Sequence, residues 1–154
     1  MTQMKTVRER EEIARAKLYH AIGEFIFYFS QLEFNIKARL AGALKLEDEL
    51  FDIVIGPYDF AMLCTVTQQT LSVGVDDATK KRIKKYFSEC QTLNQTARLI
   101  VAHGTWSLEG GARHVSRSSL EAKYYFTTPE ELDKQTKKAR ELFPKLFSLG
   151  ATKR

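Results

Sequence analysis

The sequence predicts an all-α helical bundle of four to five helices, with a small β-hairpin or extension before the last helix. Three observations carry this. Apolar residues recur every three or four positions over long stretches, the period of a helix with one buried face. Residues that open and close helices bracket those stretches. One short region, between residues 105 and 127, alternates instead. The chain has 154 residues and a mass of 17.7 kDa, which fits one domain over 1–154. A hydrophobic fraction of 44% is enough for a substantial core.

The first helix is predicted over residues 7–44. Leu18, Ile22, Phe25, Phe29, Leu32, Ile36, Leu40 and Leu44 form its stripe, and Ile26, Tyr28 and Phe34 widen it. A stripe this wide predicts more than one packing neighbour. Its start, Arg8-Glu9-Arg10-Glu11-Glu12, is charged and solvated. A short segment over 47–55 places Leu50, Phe51, Val54 and Ile55 at helical spacing, and Gly56-Pro57 stops it. Residues 58–73 read as a further helix closed by Gly74. Asp76-Asp77 opens the next, where acidic residues suit the positive end of the helix dipole. This helix is predicted over 77–103, with Ile83, Tyr86, Phe87, Cys90, Leu93, Ala97, Ile100 and Val101 inward and Gly104 at its end. Residues 105–108 and 120–127 then alternate as strands, with Glu109-Gly110-Gly111 as a turn. Thr128-Pro129-Glu130-Glu131 predicts a helix start with Thr128 as cap, and that helix runs to about residue 147 on Leu132, Ala139, Leu142, Phe143 and Leu146. The tail, 150–154, is expected to fray.

Charge and composition exclude several function classes. Net charge is +5 and the pI about 9.2, a basic bias that permits a polyanionic partner such as RNA without requiring one. Cys64 and Cys90 are 26 residues apart and form no Cys-x-x-Cys pair, so two reduced, buried thiols are expected. With His20, His103 and His114 they make no zinc pattern, and no metal or cofactor is implied. The first 17 residues hold five basic and three acidic residues and no apolar run, so no signal peptide is expected. The most apolar stretch, residues 25–32, falls far short of the roughly 20 residues that span a bilayer. These features predict a cytoplasmic protein.

The segment that carries chemistry is Leu93-Asn94-Gln95-Thr96-Ala97-Arg98-Leu99-Ile100-Val101-Ala102-His103-Gly104-Thr105-Trp106. Arg98 and His103 flank four apolar or small residues at a helix C-terminus. Histidine titrates near neutrality and can exchange protons with a reacting hydroxyl. Arginine presents a planar fork that matches phosphate oxygens. Five residues turn a helix through about 500°, so the two side chains point about 140° apart. A symmetric homodimer could join two such helix ends into one site with two arginines and two histidines. The excess apolar width of the first helix also predicts self-association.

The string Arg-x4-His-Gly-x-Trp resembles the Arg-x4–6-His signature of the HEPN superfamily, small helical bundles that include many metal-independent RNases. Phe29-Ser30-Gln31-Leu32-Glu33 resembles a Phe-Ser-x-Leu-Glu stretch in the first helix of bacterial HEPN-like proteins. The resemblance implies a composite dimer site at Arg98 and His103, RNA as substrate, and a toxin–antitoxin or phage-defence setting with a neutralising protein partner. Leu99 departs from the pattern, because a polar residue follows the arginine in many active members. Asn94, Glu33 and Trp106 are candidate supporting residues.

Structural roles compete with each of these. Arg98 is a candidate partner of Glu33 or Glu24, His103 a helix cap, and Trp106 a packing anchor. The run Lys80-Lys81-Arg82-Ile83-Lys84-Lys85 is either a solvated face or a phosphate track. The last helix and tail, with seven cations after Asp133, invite the same two readings. The alternative function is therefore a non-catalytic dimerisation or partner-binding module.

Overall fold

Local capping chemistry sets where the helices begin. In a computed structural model describing residues 6–108 and 110–149, Thr6 and Glu9 open the first helix, α1 (Val7–Leu44), with a reciprocal capping box. The Glu9 amide donates to the Thr6 hydroxyl at 3.3 Å, and the Thr6 amide donates to the Glu9 carboxylate at 2.7 Å. The helix closes on Lys45 in the left-handed conformation, with the Leu46 amide reaching back to the Ala41 carbonyl at 3.0 Å. Leu18, Phe25, Phe29, Leu32, Ile36 and Leu40 are buried, as the stripe requires, and Ile22 is half-buried. Leu44, in the last turn of the helix, is exposed.

Helix α2 (Asp48–Val54) is followed by the buried Ile55. Helix α3 (Phe60–Leu71) starts two residues later than predicted because Asp59 supplies the cap, accepting the Met62 amide at 2.8 Å. Asp76 caps α4 (Asp77–Leu93) in the same way, accepting the Thr79 amide at 2.9 Å and the Thr79 hydroxyl at 2.7 Å. The hydroxyl bond first, then the amide, holds the Asp76 carboxyl below its usual range. The stabilisation from this cap is present above the ordinary carboxyl pKa and is lost as the pH falls through the lowered value.

The predicted single helix over 77–103 is interrupted. After α4 comes a π-helical turn (Asn94–Arg98), in which the Leu99 amide donates to the Asn94 carbonyl, and then a short α5 (Leu99–His103). The turn holds one residue more than an α-turn, and so re-aims everything after it. Gly104 follows in an extended conformation. A Cβ there would lie 2.6 Å from the Ile100 carbonyl oxygen and 3.0 Å from the Ala112 Cβ, so glycine lets the next strand pass close under the helix end.

The extension is a three-stranded antiparallel sheet, not a two-stranded hairpin. Its order is β1 (Thr105–Trp106), β2 (Ala112–Val115), β3 (Ala122–Tyr125). The turn between β1 and β2 contains Gly110 and Gly111, both at positive φ; Glu109, the first residue of the predicted turn, lies outside the described residues. Strand β2 was not predicted, because Ala-Arg-His-Val lacks an apolar alternation and only Ala112 of it is buried.

Helix α6 (Pro129–Ser148) has Thr128 at its N-cap and proline at its first position, as predicted. Thr128 makes no side-chain cap bond; the Glu131 carboxylate instead accepts the Thr127 amide at 3.0 Å and the Thr127 hydroxyl at 3.2 Å. Glu131→Ala should therefore lower unfolding stability by about 1 kcal/mol in urea titration, and Thr128→Ala by less than half of that. The predicted tail, 150–154, lies outside the described residues.

Helix α1 packs on α3 and α6, and α4 packs on the same two, so α4 lies across the bundle from α1. Phe29 meets Phe60 at 4.5 Å, and the Tyr86 hydroxyl donates to the Leu142 carbonyl at 3.1 Å. Arg140 sits 4.8 Å over the Tyr28 ring. Cys64 and Cys90 are buried, free thiols. Hydrogen bonding to Cys90 and burial push the Cys64 thiol far up, which suppresses the reactive thiolate. Among the described residues no helix is long and apolar enough to cross a membrane.

Candidate functional site

The site is built on the end of the α4–π–α5 helix. Ile100 and Val101 are buried and fix which side of α5 faces inward. At about 100° per residue, Arg98 and His103 each lie about 110° from that direction, on opposite flanks. Leu99 and Ala102 occupy the outward face between them; Leu99 is half-buried and Ala102 exposed. Arg98 is the last residue of the π-helical turn, and residues 99–103, which carry the chain on to His103, are α-helical.

Arg98 is half-buried and has no hydrogen-bond or ion-pair partner among the described residues. The expected pairing with Glu33 or Glu24 is not formed. Glu33 pairs with Lys37 at 3.0 Å, one turn along its own helix, and Glu24 lies 3.9 Å from His20. The physical reason is topological: α3 and α6 stand between α1 and the helix that carries Arg98. His103 is exposed at the C-terminus of α5.

Asn94 begins the π-helical turn and is buried, 7% exposed, with its Oδ1 lacking a hydrogen-bond partner among the described residues. It lies on nearly the same helix face as Arg98, as four-residue spacing requires. Neither the wide turn nor this unmet acceptor was foreseen; Asn94 within an otherwise apolar stripe was the only sequence signal for them. Trp106 is half-buried. Its indole N–H donates to the Val101 carbonyl at 3.1 Å, and its ring stacks on Phe126 at 6.4 Å and 18°. Trp106 thus clasps the end of α5 to the sheet, a positioning role.

The five cations of 80–85 are exposed along α4, while Ile83 between them is buried. Lys80 reaches Asp77 at 3.6 Å, and Arg82 donates to the Thr79 hydroxyl at 3.1 Å. Lys85 and Arg98 are separated by about 20 Å along the helix. Among the described residues, no three of His, Cys, Asp or Glu are placed to hold a metal ion. In a single chain the site offers an arginine free to bind an anion and an exposed histidine free to move protons, held on separate flanks of one helix end. No family model, curated protein or solved structure matches the chain.

Proposed function

We propose that the chain is a HEPN-like, metal-independent endoribonuclease whose site is completed by a second copy. The observation that carries this reading is Arg98 without a carboxylate partner. A fully buried arginine is normally paired, whereas this half-buried one keeps its guanidinium open to an external anion. A second copy docked across the Leu99 and Ala102 face would add its own arginine and histidine to the first pair. One histidine would then take the proton of a ribose 2′-hydroxyl as that oxygen attacks the adjacent phosphorus. The other would protonate the departing 5′-oxygen, and the arginines would hold the phosphate oxygens. The products are a 2′,3′-cyclic phosphate and a 5′-hydroxyl end. The cations of α4 would draw RNA toward the site. A cytoplasmic toxin or phage-defence role with a neutralising protein partner fits this activity.

Cleavage of RNA by the purified protein is expected to persist in excess EDTA. Complete loss on chelation, restored by magnesium or manganese, would overturn the metal-independent assignment. Ala102→Arg, an exposed change between the two flanks, should block docking of the second copy and lower cleavage at least as much as loss of His103. The competing reading, a non-catalytic dimerisation or partner-binding module, draws on Leu99 and on the broad apolar surface of α1. It takes over if no RNA is cleaved and the native chain binds RNA no better than the Arg98→Ala variant.

A further inference from the structure

Helix α1 has a second apolar face, opposite the one in the core. Tyr19 is 61% exposed, Ile26 41%, Phe27 57% and Phe34 57%. With Glu12, Ala16, Gly23, Ser30, Ala38 and Ala41 these residues fall on one side of the helix at steps of three or four, and Lys45 caps its C-terminal end. A ring contact between Phe34 and Phe51 at 6.2 Å brings α2 alongside, with Leu50, Ile53 and Val54 exposed beside it. Soluble monomers rarely carry an apolar band this long.

We infer that this face is a two-fold contact with a second copy of the chain, α1 against α1 in antiparallel register. The face is self-complementary in size. Antiparallel pairing about a point between residues 28 and 29 sets Phe34 opposite Gly23 of the other copy, Phe27 opposite Ser30, and Ala16 opposite Ala41. Each ring meets a small residue, and Gly23 has nothing within 4 Å where a Cβ would stand. The ends of the face are complementary in charge, because the same register sets Glu12 opposite Lys45. Its extent is also suitable. From residue 12 to residue 44 the helix runs about 48 Å, and at about 12 Å wide it offers roughly 600 Å² per copy before α2 adds to it. A stable interface needs about 800 Å² per partner.

This contact does not rest on the ribonuclease reading. It lies across the bundle from Arg98 and His103, so it does not compose their site. A chain that uses both contacts assembles into chains of copies or closed tetramers rather than stopping at the dimer.

The test is disulfide trapping between copies. Protein carrying Phe27→Cys is mixed with protein carrying Ser30→Cys under oxidised glutathione, and the linked dimer is read by intact mass. The control pair is Tyr124→Cys with Phe147→Cys, exposed positions elsewhere. The 27/30 pair should form its mixed disulfide faster than the control by roughly tenfold or more. Adding Phe34→Glu to both partners should remove that advantage and lower the mass seen by light scattering at the same concentration. Circular dichroism of the Phe34→Glu protein should match the native spectrum, as expected for an exposed position. Trapping no faster than the control, or trapping unaffected by Phe34→Glu, overturns the inference. Loss of RNA cleavage in any variant has no bearing on this readout.

Discussion

His103→Ala is expected to lower RNA cleavage by about 10²–10⁴-fold while leaving the thermal midpoint within a few degrees of the native value. The motive is placement: His103 is exposed in the last turn of α5, so removing its ring opens no cavity. Proton transfer in the composite site would lose both its acceptor and its donor, since each copy contributes the same residue. A variant that retains cleavage within threefold of native would remove His103 from the chemistry. Arg98→Ala is an equally clean companion. Because Glu33 pairs with Lys37 and not with Arg98, removing the arginine strands no buried carboxylate. Its expected signature is a loss of cleavage with a stability change of at most about 1 kcal/mol. If both variants melt early and the native chain cleaves nothing, the pair is structural.

The sequence disclosed what depends on local chemistry. The stripe from Leu18 to Leu40 located α1 and its buried face, because helical period and burial are linked through geometry alone. Asp76 and Pro129 located the starts of α4 and α6, because caps and first-turn residues act within a few positions. What stayed hidden depends on the rest of the chain. The π-helical turn at Asn94–Arg98 contains no glycine or proline that would mark it. Strand β2 is polar and is held by its neighbours rather than by its own pattern. Arg98 and Glu33 are natural partners by charge, but a bundle order that sets α1 across from α4 keeps them apart. The width of α1 was legible as an excess of apolar residues. Which of them would remain uncovered was not, and Ile26 and Phe34 prove to be exposed while Tyr28 is half-buried under Arg140.

Phe87→Ala is expected to cost about 3–5 kcal/mol of folding stability, a large share of the roughly 5–15 kcal/mol that holds a typical domain. Phe87 is fully buried on α4, the helix that joins α3 to α6 on the far side of the bundle from α1. Its ring meets Tyr86 edge-on at 5.0 Å, and Tyr86 in turn ties α4 to α6 through the Leu142 carbonyl. Truncation removes the apolar area of one ring and leaves a cavity that two helices bridged by that hydrogen bond cannot readily close. The thermal midpoint should fall by roughly 6–20 °C, and the urea midpoint should move while the slope stays constant. The exposed Tyr124→Ala serves as the control and should change stability by no more than about 0.5 kcal/mol. The same helix carries Arg98 and His103, so Phe87→Ala should retain cleavage at low temperature and lose it where the variant unfolds. His103→Ala should be inactive at every temperature. A Phe87→Ala loss below about 1 kcal/mol would mean that the α3–α4–α6 core closes around the missing ring, and that α4 is less rigid a support for the site than its burial implies.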